Sequence, residues 1–169
     1  TDQSTRGIKL FLNSPSQPIT GLVLQSNTSI RGNEITIYSA YNSGTFGIWA
    51  QSERFEWRDL DVDGNTIRFV NPANTQQQGI FFEALNNLTD ESTSTHSRLS
   101  FDGNNISTAG TTNTVRPLYV NFSGNASYSD LSISQNKLTG GISCLWNNIP
   151  NVATADECSN LNLSGNQIN

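Results

Sequence analysis

The 169-residue chain is 14% charged and 34% hydrophobic, with a formal net charge of −5. That composition excludes a disordered polyelectrolyte and gives room for one continuous core, so residues 1–169 are read as a single domain. Nine Lys and Arg without a basic run leave no electrostatic footprint for nucleic acid, and no apolar run nears the roughly 18 residues of a membrane span.

The chain opens without an initiating Met or a signal peptide, as expected of a mature product or an excised fragment. The first patterned stretch is Gly7-Ile-Lys-Leu-Phe-Leu, where apolar and polar residues alternate at the period of a half-buried strand. A second phrase follows at Leu22-Val-Leu-Gln-Ser-Asn27: two alternations, a turn residue, then Asn. It recurs as Leu60-Asp-Val-Asp-Gly-Asn65, Leu99-Ser-Phe-Asp-Gly-Asn104, Leu131-Ser-Ile-Ser-Gln-Asn136 and Leu161-Asn-Leu-Ser-Gly-Asn166. The first phrase recurs between these copies as Gly47-Ile-Trp-Ala, Gly79-Ile-Phe-Phe-Glu-Ala, Pro117-Leu-Tyr-Val-Asn-Phe and Gly141-Ile-Ser-Cys-Leu-Trp. An apolar residue stands two places after Asn in four copies (Ile67, Ile106, Leu138, Ile168), which adds a third, short strand.

Successive asparagines lie 38, 39, 32 and 30 residues apart. A fixed phrase at a loose period marks stacked units that bury their apolar face only against neighbours. The expected fold is therefore all-β: a right-handed parallel β-helix of about five coils, three strands per coil. Asn27, Asn65, Asn104, Asn136 and Asn166 are expected to form a ladder at one turn, each adopting the left-handed conformation and bonding coil to coil. Stretches between the phrases, such as Gln51–Asp59 and Leu85–Arg98, read as surface connections, and His96 as a loop residue within one of them.

Strand alternation sorts residues into faces. With Ile8, Ile48, Ile80, Leu118 and Ile142 inward, Lys9, Trp49, Phe81, Tyr119 and Ser143 point outward. Trp49, Phe81 and Tyr119 form a candidate binding column, since contiguous exposed aromatics call for a partner, either a sugar or a protein. The alternative is that a neighbouring segment such as Glu53–Trp57 covers them. The next outward column is Phe11, Gln51, Glu83, Asn121 and Leu145, whose Gln51, Glu83 and Asn121 suit hydroxyl hydrogen bonds.

These strands and turns resemble the right-handed parallel β-helix of the pectate-lyase and polygalacturonase superfamily, from about Gly7 onward. The resemblance implies a polysaccharide groove over the outer face of the Gly-Ile strand. The family's aspartates, Gly-His-Gly and Arg-x-Lys are absent at the corresponding positions, where Arg6, Phe46, Gln78, Arg116 and Gly140 stand. Glycoside hydrolysis needs two carboxyls about 5–9.5 Å apart, and Glu83 alone lies on the expected groove. Catalysis is therefore not the favoured reading, and no cofactor is expected.

Asp59, Asp61 and Asp63 open like a calcium loop, but Val70 stands where its final Glu belongs, so a solvated strand face outranks a bound ion. Cys144 and Cys158 read as a disulfide closing a short loop worth about 3 kcal/mol, with two free thiols as the alternative. A bridge favours an extracellular, cell-surface or periplasmic setting. The sum of these readings is a non-catalytic module for adhesion or scaffolding that binds polysaccharide or a partner protein. A lyase or hydrolase is one alternative, and an architectural subunit of an envelope or viral assembly another. The last copy runs out within a coil, so the chain is expected to belong to a longer protein or an oligomer.

Overall fold

A computed structural model describes residues 5–12, 23–38, 44–53, 55–70, 76–86, 94–109, 115–124, 126–140, 145–148 and 158–169. The chain makes five passes of three strands. They are β1 (Thr5–Leu12), β2 (Val23–Arg31) and β3 (Glu34–Ile37), then β4 (Thr45–Glu53), β5 (Phe55–Asp63) and β6 (Thr66–Phe69). Next come β7 (Gln77–Asn86), β8 (Ser94–Ser100) and β9 (Asn105–Ser107), then β10 (Val115–Gly124), β11 (Ala126–Ser132) and β12 (Lys137–Thr139). The last pass is β13 (Leu145–Asn148), β14 (Cys158–Asn162) and β15 (Gln167–Ile168).

Equivalent strands of successive passes pair in parallel, giving three five-stranded sheets: β1-β4-β7-β10-β13, β2-β5-β8-β11-β14 and β3-β6-β9-β12-β15. These are called sheets A, B and C below. This all-β arrangement is consistent with a β-helix. Alternation supplies the core: Ile48, Ile80 and Leu118 from sheet A, Leu60, Leu99 and Leu131 from sheet B, and Ile67, Ile106 and Leu138 from sheet C are buried together. Each such side chain contributes about 1.5–3 kcal/mol on leaving water.

Glycine opens each Gly-Ile phrase for a steric reason. A Cβ on Gly47 would sit 2.6 Å from Ile67 Cγ2 and 2.5 Å from the Gly79 carbonyl oxygen, and one on Gly79 would collide with Ile106 and the Pro117 carbonyl. Sheet C presses so closely on sheet A there that only a bare backbone fits. The pairing skips this position in each strand, so Pro117 replaces the glycine in β10 without losing a bridge.

The turn from sheet B to sheet C corrects one expectation. Its left-handed residue precedes the Asn: Gly32, Gly64, Gly103, Gln135 and Gly165 have φ of 64°, 64°, 66°, 57° and 69°. The Asn that follows works through its amide. Asn33 Nδ2 donates to Asn65 Oδ1 at 2.9 Å, Asn65 Nδ2 to Asn104 Oδ1 at 3.1 Å, Asn104 Nδ2 to Asn136 Oδ1 at 3.1 Å, and Asn136 Nδ2 to Asn166 Oδ1 at 3.0 Å. Each Oδ1 also accepts the backbone N–H of the preceding Asn. From Asn65 onward, Nδ2 also reaches a backbone carbonyl in the previous pass, Ile30 for Asn65 and Val62 for Asn104.

Asn27 is not in that series. Thr28, not Leu22, pairs with Leu60, so the first copy of the phrase is Thr28-Ser-Ile-Arg-Gly-Asn33, and Asn33 takes the position expected of Asn27. With Asn33 the intervals become 32, 39, 32 and 30. Asn27 belongs to a second bend within the sheet B strands, where Asn27, Asp59, Arg98, Asp130 and Asn160 all have φ between 52° and 57°.

Much of the supposed connections before that bend is strand, as far as the described residues go. β4 ends at Glu53 and β5 begins at Phe55, while β8 begins at Ser94. Trp57, His96 and Tyr128 line its interior side. His96 is therefore a core residue rather than a loop one: its ring packs edge-on to Phe82, and its Nδ1 accepts the Trp57 N–H at 3.1 Å.

Candidate functional site

Three outward columns run across sheet A. The middle one is Lys9, Trp49, Phe81 and Tyr119, as the alternation predicts, and the backbone of β13 pairs Trp146 with Tyr119. Ser143 lies outside the described residues. The next column is Phe11, Gln51, Glu83 and Asn121; in β13 the backbone pairs Asn148 with Asn121, and Leu145, assigned to this column from the sequence, with the inward Leu118.

A third column, Arg6, Phe46, Gln78 and Arg116, flanks the aromatics. Sequence reasoning placed these four only as residues preceding the strands. Because Gly47 and Ile48 both turn inward, alternation slips by one, and Phe46 faces outward beside Trp49. The signal was the glycine itself: a residue with no Cβ at a packed position marks where the period of two breaks.

The rings touch along the column. Trp49 meets Phe81 edge-on at 5.6 Å between centroids, and Phe81 stacks on Tyr119 at 4.9 Å with the planes 11° apart. Phe46 packs on both Trp49 (4.7 Å) and Phe81 (5.4 Å) and is itself buried, while Trp49, Phe81 and Tyr119 are half-buried. Cations cover the ends. Arg6 Cζ lies 4.3 Å and Lys9 Nζ 4.8 Å from the Trp49 ring, and Arg116 Cζ lies 5.0 Å from that of Tyr119. Such contacts give about 0.5–1 kcal/mol each at exposed sites.

The polar column is self-satisfied. Gln51 Nε2 donates to one oxygen of Glu83 at 2.9 Å and Asn121 Nδ2 to the other at 3.1 Å. Burial, and then the nearby Glu83 carboxylate, push the Tyr119 hydroxyl above its ordinary pKa. Two polar atoms on this face, Trp49 Nε1 and Gln78 Oε1, are buried with no hydrogen-bond partner among the described residues, and leaving such a group unpaired costs about 1–3 kcal/mol.

The three aspartates proposed for calcium are engaged elsewhere. Asp59 accepts from Arg98 Nη2 at 2.7 Å, Asp61 pairs with Arg31, and Asp63 accepts from Ser100 Oγ at 2.8 Å and from the Asp102 N–H at 3.0 Å. The hydrogen bond from Arg98 holds the Asp59 carboxyl below its usual range. Among the described residues, no group of three or more His, Cys, Asp or Glu is placed to hold a metal ion. The expected Cys144–Cys158 pairing lies outside the described residues, because 141–144 are not among them; the backbone of Cys158 pairs in register with Tyr128.

Chemically, the face offers aromatic edges, guanidinium groups and one carboxylate already holding two amides. Ring faces are occupied by other rings or by cations. Nothing in comparisons with family models, curated proteins or solved structures matches this chain.

Proposed function

We propose that the chain is a right-handed parallel β-helix of five coils, braced by an internal asparagine ladder. Its proposed role is that of a non-catalytic surface or secreted module for adhesion or scaffolding, engaging a partner along the outer face of sheet A. The observation that carries this reading is the contiguous, half-buried cluster of Trp49, Phe81 and Tyr119 with Arg6 and Arg116 at its ends. Trp, Tyr and Arg dominate the energetics of protein interfaces because they bring large apolar area together with a polar handle.

The same geometry ranks the two ligand classes. A sugar ring stacks on an aromatic face, and here those faces are taken by Phe81, Tyr119, Arg6 and Lys9. A protein surface can use the ring edges and guanidinium groups as they stand. A protein partner is therefore favoured over a polysaccharide. A lyase or hydrolase is the least supported reading, since Glu83 is the one carboxylate in the three columns and is already bound by Gln51 and Asn121.

The test is Trp49→Ala combined with Tyr119→Ala, read by thermal melting, a glycan panel and crosslinking to surface proteins of the source cell. The expected outcome is a melting temperature lowered by a few degrees, the same glycan silence as the parent, and loss of a specific crosslinked partner. Glycan binding by the parent that the double variant loses transfers the site to polysaccharide. Global unfolding of the variant assigns the rings to the core.

A further inference from the structure

We infer that the partner of sheet A is an acidic protein segment in extended conformation, an inference that rests on the reading of that face proposed above. The segment crosses the strands of the sheet with carboxylates at its positions i and i+4, one against Arg6 and Lys9 and the other against Arg116. An apolar side chain at i+2 lies between them on the ring edges of Trp49, Phe81 and Tyr119.

Charge selects the acidic class. The whole chain carries −5 and nine Lys and Arg, yet Arg6, Lys9 and Arg116 all stand in the outward columns of sheet A. Glu83 is the one carboxylate in those three columns, and its oxygens accept from Gln51 and Asn121. The cations are gathered at the two ends of the aromatic column, Arg6 and Lys9 over Trp49 and Arg116 over Tyr119. A cation–ring contact is weaker than a charge-assisted hydrogen bond to a carboxylate. A carboxylate arriving at either end therefore gains the stronger contact and uncovers ring surface for the apolar residue beside it.

Spacing and hydrogen bonding select the extended form. Arg6 and Arg116 stand three strands apart in one column, about 14 Å at roughly 4.8 Å per strand. The rings beneath them are separated by centroid steps of 5.6 and 4.9 Å. A strand rises about 3.3 Å per residue, so its side chains i and i+4 share a face and lie about 13 Å apart. On the same face Trp49 Nε1, a donor, and Gln78 Oε1, an acceptor, are buried with no hydrogen-bond partner among the described residues. An extended segment brings unspent C=O and N–H groups to such atoms, whereas a helix has paired its own internally.

The test is a titration of the isotope-labelled chain with the peptide acetyl-Glu-Thr-Leu-Thr-Glu-amide, followed by NMR at the indole N–H signals of its three tryptophans. Trp49→Phe assigns the signal of interest. The expected result is a saturable shift of the Trp49 signal. Replacing both peptide Glu residues by Gln, or combining Arg6→Gln with Arg116→Gln in the chain, should weaken binding about tenfold or more. Acetyl-Glu-Thr-Leu-Glu-amide, whose two carboxylates face opposite sides of a strand, should bind no better than the Gln peptide. If the arginine variant melts early, the Gln peptide carries the comparison by itself. No shift, or equal shifts with the Gln peptide, overturns the inference. So does a shift produced by polygalacturonate and not by the peptide, which gives the face to an acidic glycan. A surface partner still crosslinked through Trp49 and Tyr119 when the peptide is silent leaves the sheet A reading standing without its acidic partner. Loss of both the peptide shift and the crosslink removes the two together.

Discussion

Each pass bends twice by different means, and the two bends explain why the sequence is strict at one and loose at the other. At the sheet B to sheet C turn, the same residue recurs at Asn33, Asn65, Asn104, Asn136 and Asn166, because its amide must supply hydrogen bonds to the passes on either side. At the bend inside sheet B the residues are Asn27, Asp59, Arg98, Asp130 and Asn160. Only the left-handed backbone is shared there, and the side chains reach solvent or one another, as Asn160 reaches Asp130 at 2.7 Å. Identity is constrained where a buried amide satisfies backbone groups, and it drifts where conformation alone is demanded.

The largest expected effect tests that contrast directly. Asn104→Leu removes bonds to Asn65, Val62 and Asn136 at a buried site. With about 1–3 kcal/mol for each orphaned polar group, the loss should be about 3–5 kcal/mol. Asn27→Ala keeps every amide contact of the series and adds only the cost of Ala in the left-handed region, about 1–2 kcal/mol. Urea titration of both variants measures the gap. Equal losses would erase the distinction between the bends.

This contrast also shows what could be read from the chain. The parallel strands and most of the inward residues followed from a period of two, because every pass buries the same side. The asparagine series was legible for four of its members, since a buried amide leaves a fixed letter. Asn27 was mistaken for the fifth because it is also an Asn at a bend, and Leu22-Val-Leu imitates the phrase by composition, whereas the true copy begins with the polar Thr28. The strands holding Trp57 and His96 were hidden for a related reason. Their outward residues, among them Arg58, Asp59 and Arg98, are charged and look like loop.

A second measurement asks whether the limb leading into the looser bend is as interior as the asparagine turn. His96 is enclosed by Phe82, Phe122, Tyr128 and the Trp57 backbone, and burial lowers its pKa from 6.5 to about 3. The Glu56 carboxylate, on the residue immediately before Trp57, is occupied by the Thr95 N–H and Arg58. The unfolded chain takes up the histidine proton near its ordinary value while the folded chain stays neutral. The stability from neutral His96 is therefore fully present above pH 6.5 and falls by about 1.4 kcal/mol per pH unit below it, until the folded pKa is reached. His96→Gln keeps an acceptor for the Trp57 N–H and should remove that part of the slope between pH 6.5 and 4.5, as followed by urea midpoints. An unchanged slope would place the acid sensitivity in the carboxylates instead.

The smallest effect is expected at the bend whose letters drift. Asp59 and Arg98 form an exposed ion pair across adjacent passes, and such pairs are screened by salt and contribute little. Asp59→Asn should lower the melting temperature slightly in dilute buffer and leave it unchanged in 0.5 M salt, where the screening length is roughly 4 Å or less. Arg98→Gly abolishes the same pair but relieves a non-glycine residue held at φ 52°. If conformation is what this bend requires, the glycine variant melts no lower than the parent at either salt concentration. A salt-independent fall in both variants would mean that the side chains hold the bend, which would make the two turns of each pass alike.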